Sequence, residues 1–409
     1  MLGTALLTNR RIIVCGAVLL ALQALALAFL VAGIYGVVPQ YGPSTVSFVG
    51  FYAAGQLAVD GHAQFAYDHT FHYETEEALT RQGITYLPFL YPPVYLLLCA
   101  PLALLPFLPA FILFVATTLT IYMAVLRRIL DARGSAWLVP ALAFPATFWT
   151  VGHGQNSFLT AALLGAGTLL VDRRPAAAGV LFGMLCYKPN LALLVPVALL
   201  AGRRWSAIIA ATVSIVILFG LSVTLFGWET WQAYLRAFFG SASTYEFEIT
   251  SFNIFASISP FAASRLLGLS NGHAQIVQFA AASVAVVLVG WVWSTNATRA
   301  SRAAVLTAGT LIAVPYALLY DLMIAAIAGA WLIRAGRDSG FMRWEKPWLA
   351  VAYIIPLFAL QAGLVSHLPF APLAGMILVV LCALRAWQEH KGRRGHYPDN
   401  AMVGARGRG

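Results

Sequence analysis

Charge is what this sequence has least of. Asp, Glu, Lys and Arg make up 10% of the 409 residues, against roughly 25% in soluble proteins. Lysine is nearly absent, occurring only as Lys188, Lys346 and Lys391. So little polar surface cannot coat a water-soluble globule when 60% of the residues are apolar and mean hydropathy is +0.80. A soluble enzyme, a disordered chain and a disulfide scaffold are excluded. The four cysteines, Cys15, Cys99, Cys186 and Cys382, lie inside apolar runs without metal or disulfide spacing and read as small buried hydrophobes. There is no phosphate-binding loop, dinucleotide fingerprint or Gly-x-Ser-x-Gly elbow, so no cofactor is expected. Net charge is +10, but no basic stripe is interleaved with aromatics in a soluble segment, which argues against nucleic acid as a partner.

What the sequence has is long apolar runs. A bilayer crossing takes roughly 20 apolar residues. The runs suffice for about ten to thirteen crossings, an all-α polytopic integral membrane protein. Arg and Lys gather in cytoplasmic loops. The basic clusters are Arg10/Arg11, Arg127/Arg128/Arg133, Arg173/Arg174, Arg203/Arg204, Arg299/Arg302, Arg334/Arg337/Arg343/Lys346 and the tail from Arg385 to Arg408. Placing all of them inside gives twelve passes, at 12–36, 107–126, 136–150, 155–172, 176–187, 189–201, 206–226, 276–294, 303–317, 319–334, 347–364 and 371–387. Both termini are then cytoplasmic. Residues 1–390 form one membrane domain, with outer-face segments 39–90 and 227–275, and 391–409 form a basic tail expected to be disordered. The segment 39–90 should be helical near Phe48–Val59 and Tyr73–Arg81. The aromatics of 227–275, among them Trp228, Trp231, Tyr234, Tyr245, Phe247 and Phe252, suit the headgroup level.

Two places strain this path. The run from Tyr91 to Pro106 begins and ends outside and is broken by Pro92, Pro93, Pro101 and Pro106. It is a re-entrant or surface helix, or else a full crossing that would put Arg127 outside. The arms 176–187 and 189–201 are each about 18 Å long, short of the roughly 30 Å hydrocarbon core. This broken hairpin turns within the membrane at Tyr187-Lys188-Pro189-Asn190, which requires a protein interior or a watery cavity around it.

Ionisable groups at membrane depth are costly and invite a functional reading. Lys188 and Asp321 are the two such groups. Lys188 needs an anion, which is a protein carboxylate or a phosphate, unless it snorkels to the surface. Asp321 lies near the outer end of a helix, either stabilised by the helix N-terminus or facing an outer-leaflet cavity. In the turn Gly152-His153-Gly154-Gln155-Asn156, Gln155 and Asn156 can hydrogen-bond hydroxyls or amides, or Asn156 or Ser157 caps the following helix. Glu74, Glu76 and Glu77 read as a solvated helix face, and Asp60 before Gly61 as a turn residue. No His pair has zinc-helix spacing, so no metal is expected.

The chain resembles glycosyltransferase family 87, the polyprenol-phosphate-mannose-dependent membrane mannosyltransferases and their bacterial relatives. The resemblance rests on Phe51-Tyr52-Ala53-Ala54-Gly55, Ala66-Tyr67-Asp68, Tyr91-Pro92-Pro93 with Pro101-Leu102-Ala103-Leu104-Leu105-Pro106, Gly154-Gln155-Asn156, Ala178-Gly179-Val180-Leu181-Phe182-Gly183 leading to Tyr187-Lys188-Pro189, and Tyr320-Asp321. It implies a GT-C-like fold in a bacterial plasma membrane. The implied activity is inverting transfer of mannose or another hexose from a polyprenyl phosphate to a lipid or envelope glycan on the outer face. Lys188 would hold the donor phosphate, and Gln155, Asn156, Tyr91 and Tyr320 would contact substrate. The family's presumed base is an Asp just before the Phe-x-x-Phe/Tyr-x-Ala-Ala stretch, where this chain has Ser47. Serine is no base unaided at neutral pH. Resemblance then favours Asp68 as the base and position favours Asp321, or else transfer is weakened. The alternative is a transporter or flippase of a lipid-linked or small solute, although the chain shows no related halves.

The charge pattern fixes a test of topology. A reporter fused after Arg265 should read outside, and reporters after Arg204 and Arg343 inside. Phosphatase activity from the Arg204 fusion would contradict the path.

Overall fold

The computed structural model describes residues 9–34, 47–80, 82–84, 86–240 and 253–394. Arg81, Tyr245, Phe247, Phe252 and the tail beyond Arg394 lie outside these. The structure is 81% helical with no strands among the described residues, as expected of an all-α membrane protein. Among the described residues, seven helices are long and apolar enough to cross a bilayer. They are α1 (Asn9–Ile34), α5 (Phe107–Leu130), α11 (Trp205–Phe226), α15 (Asn271–Ser294), α17 (Met323–Ser339) with its leading 3₁₀ turn (Leu319–Leu322), α18 (Glu345–Ser366) and α19 (Leu373–Arg394). The last of these carries helix through Arg394, past the Lys391 at which the sequence suggested a disordered tail to begin.

The remaining expected passes are shorter or broken. Pro145 splits one into α6 (Leu138–Leu142) and α7 (Pro145–His153), because a proline supplies no N–H to the helix. Then come α8 (Ser157–Leu170), α9 (Pro175–Met184), α10 (Leu194–Ala201) and α16 (Arg299–Ala313). The run after Tyr91 forms a 3₁₀ turn (Pro93–Tyr95) and α4 (Leu96–Ala103). Those residues reach about 16 Å, too short to cross alone, which suits a re-entrant or surface helix better than a full crossing.

The outermost helices and the core divide by exposure. On α11, Ile209, Val213, Val216 and Leu225 are exposed, as lipid-facing residues must be in a bundle solvated by hydrocarbon. Cys15 on α1 is likewise exposed and Cys186 half-buried, while Cys99 and Cys382 are buried. By contrast α16 is buried along nearly its whole length. The hairpin arm α9 lies against α11 so closely that a Cβ at Gly179 would overlap the Ala207 carbonyl.

The segment 39–90 carries α2 (Ser47–Val59) and α3 (His69–Leu79) around a 3₁₀ turn (Ala63–Tyr67). Phe48 through Gly55 are all buried, with the Phe48 ring against Phe107, Phe111 and Phe114. The amphipathic helix α12 (Trp228–Gly240) docks on this unit, placing Tyr234 beside Tyr67 with ring centroids 5.6 Å apart. One expectation fails here. Glu76 is not on a solvated face but fully buried, with His72 equally buried one turn away. Glu76 Oε2 accepts from the Leu87 amide at 3.2 Å, and His72 Nε2 lies 3.1 Å from the Gly50 carbonyl. The two remaining atoms, His72 Nδ1 and Glu76 Oε1, face each other at 3.7 Å.

Burial pushes the Glu76 carboxyl up to about 8 and the His72 imidazole down to about 4, because both neutral forms are favoured away from water. Stability owed to Glu76 is therefore full below its ordinary value of 4.5 and lost as pH rises through about 8. Stability owed to His72 is full above 6.5 and lost as pH falls through about 4. Thermal unfolding of the purified protein should show wild type losing stability relative to Glu76→Gln as pH rises from about 5 to about 8. A difference that does not change with pH would contradict this account of the pair.

Candidate active site

Three breaks in helical backbone meet at one level of the bundle. The first is the turn between α7 and α8. Gly154 sits there at φ +61°, and a Cβ on it would come within 2.6 Å of Phe48. Only glycine allows the chain to reverse this tightly, and the reversal aims Gln155 and Asn156 inward. The second break is the hairpin turn. Lys188 is non-helical between two 3₁₀ turns, Leu185–Tyr187 and Pro189–Ala192. Its turn thus falls where the sequence indicated. The third is the 3₁₀ turn before α17, which carries Tyr320 and Asp321.

Together these breaks create a buried ion pair. Lys188 Nζ donates to Asp321 Oδ1 at 2.7 Å, with Lys188 8% and Asp321 3% exposed. Of the partners open to Lys188 on sequence grounds, the structure supplies the protein carboxylate. Ser157 Oγ donates to the same oxygen at 3.0 Å, and the Leu318 amide to Asp321 Oδ2 at 3.2 Å. Lys188 also donates to Asn156 Oδ1 at 3.2 Å, so Asn156 does not cap α8 with its side chain. The Lys188 ammonium lies 5.6 Å from the Tyr320 ring centroid.

An aromatic wall covers this cluster. Tyr187 stacks on Tyr95 at 5.1 Å and Tyr91 lies 4.7 Å from Tyr95. The Tyr187 hydroxyl shares a 2.6 Å hydrogen bond with Thr160. Tyr91 donates to Gln155 Oε1 at 3.4 Å. The Tyr67 hydroxyl in turn donates to the Tyr91 carbonyl at 2.8 Å, joining the outer segment to the cluster.

Six of the seven residues singled out from sequence, Tyr91, Gln155, Asn156, Lys188, Tyr320 and Asp321, thus gather in one place. Asp68 stands apart as the exposed N-cap of α3, where its Oδ1 accepts from the amides of Thr70 and Phe71. Its Oδ2 has no hydrogen-bond partner among the described residues. Ser157, Thr160, Tyr95 and Tyr67 were not singled out as site residues. Only the proximity of Ser157 to Asn156 and of Tyr67 to Asp68 in sequence pointed towards them.

Two donors in the cluster are unspent. An ammonium has three N–H groups, and two of those on Lys188 are used. The amide nitrogen of Asn156, fully buried, meets no acceptor in full hydrogen-bond geometry among the described residues, and leans towards the Tyr95 hydroxyl as its polar neighbour. Buried donors ordinarily find acceptors. The family model of glycosyltransferase family 87 matches residues 89–319, more than half of the chain and most of this cluster. The chain belongs to glycosyltransferase family 87. It is therefore a membrane glycosyltransferase, and the transporter alternative falls away. No curated protein and no solved structure matches it.

The ion pair should behave as a unit. Lys188→Met leaves a buried carboxylate uncompensated and should cost about 3–5 kcal/mol of stability. The double variant Lys188→Met/Asp321→Asn should cost less than the sum of the two single changes. Additive losses in thermal or denaturant unfolding would show that the two side chains act independently.

Proposed function

We propose that this glycosyltransferase takes mannose or another hexose from a polyprenyl-phosphate donor and transfers it, with inversion, to a lipid or envelope-glycan hydroxyl. The reaction is assigned to the outer face of a bacterial plasma membrane, with both termini cytoplasmic and a GT-C-like bundle around the site. One observation carries the reading. Lys188 and Asn156, hydrogen-bonded to each other at a buried point, each keep a donor that no acceptor among the described residues takes up in hydrogen-bond geometry, one of them cationic. Such a point suits the oxygens of a phosphate leaving group, because charge developing on oxygen is best stabilised by donors already fixed in place.

In the step so assigned, the acceptor oxygen attacks the anomeric carbon and the bond from that carbon to the phosphate oxygen breaks. Polyprenyl phosphate departs with the electron pair, and the hydroxyl proton passes to a carboxylate. Both Asp68 and Asp321 were candidates for that base. Asp321 has its Oδ1 engaged by Lys188 and Ser157, which suits it to fixing the direction of the ammonium. Asp68 keeps Oδ2 open at the water-facing side, one residue from the Tyr67 that holds Tyr91. Asp68 is accordingly assigned the proton and Asp321 the positioning of Lys188. Tyr91, Tyr320 and Gln155 would line the sugar's place, aromatic faces against its carbon face and the amide on its hydroxyls.

The test is transfer from a labelled polyprenyl-phosphate sugar in membranes. Lys188→Met/Asp321→Asn keeps the core neutral and should insert normally, yet bind donor at least about tenfold more weakly, as expected for a lost charge-assisted contact. Asp68→Asn preserves the helix cap, since Asn caps as well as Asp, and should lower transfer by about 10² or more through loss of the base. Near-normal transfer by both variants at wild-type abundance would remove these assignments.

A further inference from the structure

A second cluster of cations forms at the opposite end of the same helices. Arg334 follows Asp321 along the 3₁₀ turn and α17 by thirteen residues, about 20 Å of helix. Arg204, Arg299, Arg302 and Arg334 gather there. Arg204 and Arg302 share Asp172. Arg334 reaches Asp131 at 3.5 Å and Asp338 at 3.1 Å.

Arg299 is different. No carboxylate lies within ion-pair distance of it among the described residues. Its one hydrogen-bond acceptor among them is the Leu169 carbonyl, at 3.4 Å. Its guanidinium lies over Trp331, 5.7 Å from the ring centroid. Two acids lie near it and are committed elsewhere: Asp338, which lines the same cavity, pairs with Arg334, and Glu389 binds residues on either side of it in the chain. Glu389 accepts from the Thr298 amide, the Thr298 hydroxyl and the Ser301 hydroxyl. A guanidinium carries five N–H donors in a fixed fork, so most of the capacity of Arg299 is unspent at a half-buried position.

Arg299 and Arg334, from two different helices, open onto one cavity of about 130 Å³. One water needs only about 10–15 Å³ of such space, so the cavity takes a group several times larger. Trp331 and Ala335 form its apolar side. The arrangement offers the unspent fork of Arg299, the fork of Arg334 already shared with Asp131 and Asp338, and a flat apolar wall, with the Asp338 carboxylate also lining the cavity, at the end of the bundle where the basic clusters lie.

We propose that this cavity is a phosphate-binding site, distinct from the Lys188 cluster, in which Arg299 and Arg334 hold one phosphate group between them. Guanidinium forks match phosphate oxygens two at a time. The same chemistry is offered by the headgroup of a phospholipid in the adjacent leaflet and by a free phosphate from the aqueous phase. A phospholipid would seat its acyl chains against the apolar helix surfaces, and free phosphate would not.

Thermal unfolding of the full-length protein in neutral detergent separates these cases. Phosphatidylglycerol or inorganic phosphate should raise the unfolding midpoint by roughly 2–4 °C. Arg299→Gln and Arg334→Gln should each remove most of the rise, Arg299→Lys should keep part of it, and Arg343→Gln, away from the cavity, all of it. A rise with phosphatidylglycerol alone identifies a lipid headgroup, and a rise with inorganic phosphate identifies a free anion. No rise with either probe, or an undiminished rise in Arg299→Gln and Arg299→Lys, would overturn the proposal.

Discussion

A cation and an anion held out of water at the centre of an apolar bundle must be satisfied by each other and by their neighbours, or the fold fails. Taking both charges from water costs several kcal/mol per ion. That cost is offset only by close geometry and further hydrogen bonds. Lys188 and Asp321 have both, at 2.7 Å with Asn156, Ser157 and the Leu318 amide completing the set. The broken backbone follows from this requirement. A straight helix through Lys188 would carry its ammonium along one face of a rod. The two 3₁₀ turns and Pro189 instead leave Lys188 at an inward-facing corner.

The outer unit depends on the same centre. Its apolar helix α2 is buried against α4 and α5, and its Tyr67 reaches the carbonyl of Tyr91. Through Tyr91 and Gln155 the contact runs to the turn that bears Asn156. Packed side chains and hydrogen bonds thus connect the outer unit to the residues around Lys188.

Much of this was readable in the sequence because membrane burial leaves few polar residues to interpret. The apolar runs gave the helices, and the scarcity of lysine singled out Lys188. What escaped was pairing. Asp321 and Lys188 are far apart in the chain, and no periodicity ties them together. Glu76 was read as solvated because Glu74 and Glu77 flank it on a polar helix. Its burial depends on Gly50 and Leu87 approaching from other elements, which a single helix cannot reveal. Asp68 was read from resemblance as a base; that it caps α3 depends on where that helix starts, at His69 rather than near Tyr73.

The central claim is that the unspent donors of Lys188 and Asn156 receive the phosphate of the lipid-linked substrate. An experimental structure of the protein in nanodiscs with a polyprenyl phosphate tests it most directly. The account predicts phosphate density within hydrogen-bond distance of Lys188 Nζ and Asn156 Nδ2, beneath Tyr91 and Tyr320. Phosphate bound elsewhere, with the Lys188–Asp321 pair still enclosed and the Asn156 amide still unpartnered, would contradict it.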